Sequence, residues 1–452
     1  MRLNINSGST RVGDVEIHEV FRVTELDAGH RVEANTLGGI AFDSTVSHGN
    51  IPFSQESLHA IEAQLAIIIP CMDEDQSILD GVLHGIPHEC LIIIVSNSNS
   101  SNFKAECTLL TDFCHNAKRP GIIVHQGDEG LAYAFHSAGL PELVVETSLP
   151  QGKQKNALYI RNGKGEAMMI GAAIAKLAAK QFVGFIDADN YVAGSVHEYC
   201  KVYAAGLHYA LHCTEHNQTT SSKDITQLAA ESNSMVRIKW NSKPKVKDGQ
   251  LVFEKSGRCS RVVNGWMNRF LNAIVDDTTQ NAVIQTGNAG EHAMSLNLAM
   301  ELRFATGYAV EPFQLVNAWE QFGGQTSTYK QKDHTMVSKA PLLRKVQILQ
   351  IETRNPHFHD VSKGNDHIEG MQVQGLSTIY HSSLTPPKLK DELRVYMKEN
   401  FPTVVGANGE PERARVYPPL GTMDFGIFRT AMKSYPKTLK VIDDTTVWRR
   451  AT

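Results

Sequence analysis

The chain has 452 residues, 42% of them hydrophobic and 20% charged, with 34 glycines and 17 prolines. That is the make-up of two ordinary globular domains or one elaborated domain, and it excludes a disordered, collagenous or coiled-coil protein. Its 44 basic and 48 acidic residues leave a net charge of −4, too balanced for a global field that would attract nucleic acid or an anionic membrane.

No apolar run approaches the roughly 18 residues that span a bilayer. The amino-terminal stretch lacks the apolar segment of a secretory signal, and seven scattered cysteines include no C-x-x-C pair, so a reducing, cytoplasmic setting is expected. Residues 1–60 read as a β-rich preamble, in which 15–23 (VEIHEVFRV) alternates apolar and polar positions as a half-buried strand does. From 61 to 210 the pattern turns to βα. Strands are predicted at 66–69, 91–95, 121–125 and 182–186, and helices at 75–83, 103–114 and 165–179. Continuous apolar strands between amphipathic helices predict an α/β fold with a mostly parallel, Rossmann-type sheet covered on both faces. Ligands of such sheets bind beyond the carboxyl ends of the strands, where this chain collects its special polar residues at 70–74, 96–98 and 187–189. Residues 211–385 read as a smaller α+β region, with strands at 235–240, 250–253 and 346–352 and helices at 261–274 and 291–302. Residues 386–452, with two Pro-Pro pairs, read as an extension packed around the outside.

Four constellations carry chemistry. Asp187-Ala188-Asp189 ends a buried strand and offers hard oxygen ligands at the sheet's lip, suited to Mg²⁺ or Mn²⁺ bridging a diphosphate. D-x-D alone is common at exposed turns, so the placement gives it weight. Gly163-Lys164-Gly165-Glu166 precedes an alanine-rich helix, where glycines, a helix N-terminus and a lysine all favour phosphate. It is not a Walker loop, and taken alone it reads equally as an ordinary helix start with a solvated lysine. Gly257-Arg258-Cys259-Ser260-Arg261 follows a lysine-rich run, and its arginines and hydroxyl on a tight turn could grip a phosphate or carboxylate. In Glu352-Thr353-Arg354-Asn355-Pro356-His357-Phe358-His359, either histidine could complete a metal shell, although most of the 19 histidines must be structural or exposed.

A family resemblance rests on these segments in order. Pro70-Cys71-Met72-Asp73-Glu74, Ser96-Asn97-Ser98, Gly163–Glu166, Asp187-Ala188-Asp189-Asn190 and Gly287-Asn288-Ala289-Gly290-Glu291-His292 are followed by Gly307-Tyr308-Ala309-Val310-Glu311 and the E-T-R-N-P-H segment. Together, from about residue 12 to about 370, the chain resembles the mannosyl-3-phosphoglycerate synthases, retaining glycosyltransferases of the GT-A fold.

The resemblance implies transfer of mannose from GDP-mannose to the 2-hydroxyl of 3-phosphoglycerate with retention, assisted by a divalent metal. It divides the chain into a nucleotide-sugar half (61–210) and an acceptor half (211–385). Pro70, Cys71, Asp73, Glu74, Ser96 and Ser98 would hold the nucleoside, Lys164 the diphosphate, and Asp187 the sugar or ribose. Asp189 and His357 would bind the metal, with His359 a second candidate. Gly257, Arg258, Ser260, Glu291, His292 and Arg354 would serve the acceptor, and Glu311 stands near the reacting centre. Arg261 departs from the neutral or acidic residue expected there. With no carboxylate securely placed beneath the anomeric carbon, same-face attack is favoured over a covalent intermediate. A sister transferase with another donor, such as glucose, and a non-catalytic nucleotide-sugar sensor are the rival readings, and a homodimer is left open. A nucleotidyltransferase would carry a glycine-rich loop after the first βα strand, where this chain has P-C-M-D-E.

Overall fold

The computed structural model describes residues 1–6, 8–26, 49–147, 157–212, 225–230, 232–247, 250–255, 257–275, 282–324, 345–358, 365–402, 406 and 410–442. His359 lies outside the described residues. Thirteen strands form one sheet. Its parallel half runs in the order Gly121–His125, Leu91–Ser96, Leu65–Cys71, Phe182–Phe185. His292–Ser295 follows, antiparallel to both neighbours, and then Asn233–Lys239 and Val346–Glu352, which are parallel to each other. This is the expected α/β, GT-A-like plan, a Rossmann-type half continued past one reversed strand.

Successive strand residues go to opposite faces. Ala66, Ile68, Ile93 and Val95 join a core with the helices Glu129–Ser137, Lys164–Leu177 and Val310–Phe322. Leu65, Ile67, Ile92 and Ile94 join the other, with Gln76–Gly85 and Ala193–His212. The helices after the first two strands begin on side-chain caps. Asp75 accepts from the Ser77 N–H, and Asn99 from those of Ser101 and Asn102, so each helix starts where its strand-end loop finishes.

Three expectations change. Residues 291–302 do not form one helix: His292–Ser295 is a strand and only Leu296–Glu301 is helical. The apolar spacing fits a helix, but a slot between two buried strands supplies a hydrogen-bonding ladder on both sides. Residues 15–23 split into Val15–His18 and the start of Phe21–Glu25, which pair with successive stretches of Val346–Glu352. The carboxyl-terminal extension is built in, not wrapped around. Leu439–Ile442 extends the sheet beside Gly121–His125, and the fully buried Tyr417 donates to the Glu166 carboxylate at 2.6 Å. Tyr417→Phe, which removes one of the two donors to that oxygen, Thr306 Oγ1 being the other, should cost about 1–3 kcal/mol of stability in urea denaturation; an unchanged midpoint would mean that this hydrogen bond from the tail is dispensable to the core. Segments 1–60, 61–210, 211–385 and 386–452 all contribute strands to the one sheet.

Candidate active site

The reversed strand decides where the site lies. Cys71, Ser96, Phe185, Lys239 and Glu352 are the carboxyl-terminal residues of parallel strands, whereas Glu291 precedes the amino end of His292–Ser295. Only because that strand runs backwards does Glu291 reach the same edge as the Asp187 turn. Lys164 comes to this edge from below, as the first residue of the helix Lys164–Leu177.

Lys164 joins two others of the expected residues. Its Nζ lies 2.6 Å from Asp187 Oδ1 and 2.8 Å from Glu311 Oε1. Burial alone would lower its pKa, but the charges of Asp187 and Glu311 overrule it and hold the ammonium well above 10.5. The glycines here serve close approach. A Cβ on Gly290 would sit 2.7 Å from Asp187 Oδ2 and 3.0 Å from Lys164 Nζ, and one on Gly165 would sit 2.0 Å from the Ala305 carbonyl. Glu311 is buried, and among the described residues its Oε2 has no hydrogen-bond partner. Its carbonyl accepts from Arg237 Nη2 at 3.0 Å.

Glu291 is fully buried between two donors, Asn190 Nδ2 at 3.2 Å and Trp240 Nε1 at 3.0 Å. Burial, followed by the charge of Asp187, pushes its carboxyl up to about 8. The sign follows: between the usual 4.5 and about 8 the native state holds a proton that the unfolded chain has lost, so stability falls as pH rises through this window. Without divalent cations, the wild type should therefore lose more stability between pH 5 and 8 than Glu291→Gln, by about 1 kcal/mol or more. Equal slopes in urea titrations would contradict the shift.

His357 is buried beside Glu291. Its ring stacks on Trp240 at 4.0 Å and 6°, and Nδ1 lies 3.1 Å from the Tyr199 hydroxyl and 3.9 Å from Glu291 Oε1. With the proton on Nδ1, towards those oxygens, Nε2 would be the nitrogen to offer a metal. The Tyr191 N–H donates to the Phe358 carbonyl at 3.1 Å, which sets the Asp189 turn beside the His357 loop. Among the described residues no group of three His, Cys, Asp or Glu side chains forms a ready cage. Asp189 and His357 would thus share an ion with substrate oxygens and water, a donor set that fits Mg²⁺ and, with imidazole present, Mn²⁺.

Several of the residues expected to hold the nucleoside are tied to one another. Ser98 Oγ accepts from the Asp73 N–H at 2.7 Å and donates to Glu106 Oε1, which Cys71 Sγ also approaches at 3.4 Å. Asp73 stands at φ 57°, held by three donors from Asn99 and Asn102 to its Oδ1. Ser96 is fully buried, and its Oγ accepts from the Ser98 N–H at 3.2 Å. Pro70 lies within the strand opposite Val95, and Glu74 follows in the loop beyond.

Of the residues expected to serve the acceptor, Gly257 caps the helix Arg258–Ile274, so Arg258, Cys259 and Ser260 form its first turn instead of a separate tight turn. Arg261 is mostly exposed, 3.8 Å from Glu254. His292 is fully buried, with Nδ1 3.0 Å from the Gly290 carbonyl and its pKa driven well below 6.5, first by burial. Arg354 is exposed, and its guanidinium donates to the Thr24 carbonyl at 3.0 Å. The contact of Arg354 lies apart from the Lys164 cluster, whereas His292 holds the carbonyl of Gly290, which packs against Asp187 and Lys164.

The chain matches the sequence profile of mannosyl-3-phosphoglycerate synthase over residues 5–432. It belongs to the mannosyl-3-phosphoglycerate synthase family. The mannosyl-3-phosphoglycerate synthase of Pyrococcus furiosus is 34% identical over 433 residues, covering 94% of this chain and 96% of the relative. That of Aeropyrum pernix is 29% identical over 428 residues, covering 93% and 95%. Among solved structures, glucosyl-3-phosphoglycerate synthase from Mycobacterium tuberculosis in complex with Mn²⁺, UDP-glucose and phosphoglyceric acid is similar over 82% of this chain and 95% of that one, at 17% identity and a TM-score of 0.45.

Sequence reasoning missed Glu106, Glu198, Tyr199, Arg237, Trp240 and Lys243. Trp240, one of only four tryptophans and next to the lysine-rich run, offered a faint signal. Lys243 Nζ lies 4.8 Å over the Trp240 ring, and its stem passes so near Gly257 that a Cβ there would be 3.6 Å from Lys243 Cδ. Burial lowers its pKa, and the charges of Glu291, Asp189 and Asp187 work against that. A cation thus spans the acceptor-side helix and the carboxylate cluster.

Proposed function

We propose that the chain transfers mannose from GDP-mannose to the 2-hydroxyl of 3-phosphoglycerate with retention, using Mg²⁺ or Mn²⁺. The observation that carries this reading is the meeting of Lys164, Asp187 and Glu311 in one ion-paired cluster at the same sheet edge as Asp189 and His357, within a chain of this family. The bound ion would supply Lewis-acid stabilisation of the departing diphosphate. Lys164 adds a fixed positive charge where negative charge develops, and it is already oriented before the donor arrives. Asp187 and Glu311 hold that ammonium in place. The Ser98–Glu106–Cys71 network sets the nucleoside floor, with Asp73 and Glu74 at its rim. Gly257, Arg258, Ser260 and Lys243 would make up the side that takes the phosphate and carboxylate of the acceptor.

Glu311 Oε1 is committed to Lys164, which lowers its worth as a nucleophile and favours same-face attack, in which the leaving phosphate oxygen helps to take the acceptor's proton. Glu311→Gln should therefore be slowed but active, with no glycosyl-enzyme in the mass spectrum of the wild type; a stoichiometric adduct on Glu311 would overturn this route. The activity itself is tested by GDP release from GDP-mannose, 3-phosphoglycerate and Mg²⁺, run beside a panel with UDP-glucose. Release that needs both acceptor and metal is expected. Release with glucose donors alone would make the chain a sister transferase, and tight GDP binding without turnover a sensor.

A further inference from the structure

The loop that carries His357 is irregular and ends its strand at Glu352, so its backbone groups need partners from elsewhere. One helix provides three of them. Ser195, Glu198 and Tyr199 are spaced three and four apart on Ala193–His212 and so share a face. Glu198 is fully buried and gives one carboxylate oxygen to each of two consecutive amides, Arg354 N–H at 2.6 Å and Asn355 N–H at 2.8 Å. Ser195 Oγ donates to the Pro356 carbonyl at 2.9 Å, and the Tyr199 hydroxyl meets His357 Nδ1 at 3.1 Å. Four successive residues of the loop are thus gripped from one helix face. The same helix begins three residues after Asn190, so it also continues the Asp187–Asn190 turn.

We infer that Glu198 is a positioning residue that sets His357 against Asp189 by clamping the 354–355 backbone, without itself touching metal or substrate. The inference rests on the reading of Asp189 and His357 as the metal site. A carboxylate is the fitting group because both amides need an acceptor at once. A glutamine offers one oxygen and one N–H₂, so one amide would face a donor and the clamp would half open. The sequence gives no hint of this role, since Glu198 looks like any helical glutamate.

The test is Mn²⁺ binding to the full chain with GDP present, followed by the electron paramagnetic resonance of free Mn²⁺, with melting curves to confirm folding. Glu198→Gln should weaken Mn²⁺ binding about tenfold, leave GDP affinity without metal unchanged, and regain turnover when Mn²⁺ is raised. Ser195→Ala, a smaller truncation, should weaken Mn²⁺ in the same direction to a lesser degree, and it serves if Glu198→Gln does not fold. His357→Ala separates the two ideas. If it loses Mn²⁺ binding while Glu198→Gln and Ser195→Ala bind like the wild type, the clamp is refuted and the metal site stands. If His357→Ala itself binds Mn²⁺ like the wild type, the metal reading falls.

Discussion

Lys164→Ala should lose transfer activity by about 10²–10³-fold, the size of effect seen when one preorganised donor to a developing charge is removed, and should lose stability with it. Glu311 is nearly buried and Asp187 partly so, and removing the shared cation strands two carboxylates against each other beside Glu291. Breaking a buried pair from one side costs about 3–5 kcal/mol. The pH dependence distinguishes this from simple loss of packing. In the wild type the ammonium is held well above 10.5, so its contribution is fully present below that pH and is lost only as pH rises through the folded value. In the variant that charge no longer holds the Glu291 carboxyl down, so native Glu291 should keep its proton to higher pH and the deficit should shrink as pH falls from 8 towards 5. A deficit in urea denaturation that is constant across this range would mean the cluster is not the electrostatic unit described.

Asp189→Ala should lose turnover by about 10³-fold, as expected when Lewis-acid assistance worth several kcal/mol is removed, and yet stay folded. Asp189 is one of the charges that push Glu291 upwards, so its removal relieves repulsion in the metal-free protein. The decisive measurement is the melting temperature with and without Mn²⁺ and GDP. A ligand that binds only the native state raises the wild-type value, and Asp189→Ala should lose the metal-dependent part of that rise. Full activity in this variant would place the metal elsewhere.

The segment 291–302 shows where reading along the chain stops. Its apolar spacing fits a helix, and nothing local says that His292–Ser295 will be paired on both sides by Phe182–Phe185 and Asn233–Lys239. Propensity gave way to a buried ladder, and with it Glu291 moved from a helix to the lip of the site. Tyr417 is a second instance. No motif marks it, because its role is set by a partner 251 residues away.

By itself the sequence determined the βα half of the sheet, the polar loops at 70–74, 96–98 and 187–189, and the helix expected over 165–179, since each depends on periodicity and end signals within a short stretch. It also carried the family, through the order of short motifs. Only the tertiary structure decided that Lys164 would sit between Asp187 and Glu311, that Glu291 would be buried under Trp240 and Asn190, and that Glu198 would hold the His357 loop. The physical reason is range. Helix and strand patterns are written in neighbours a few residues apart, whereas charges pair and backbone groups are satisfied across whatever distance the sheet's strand order brings together.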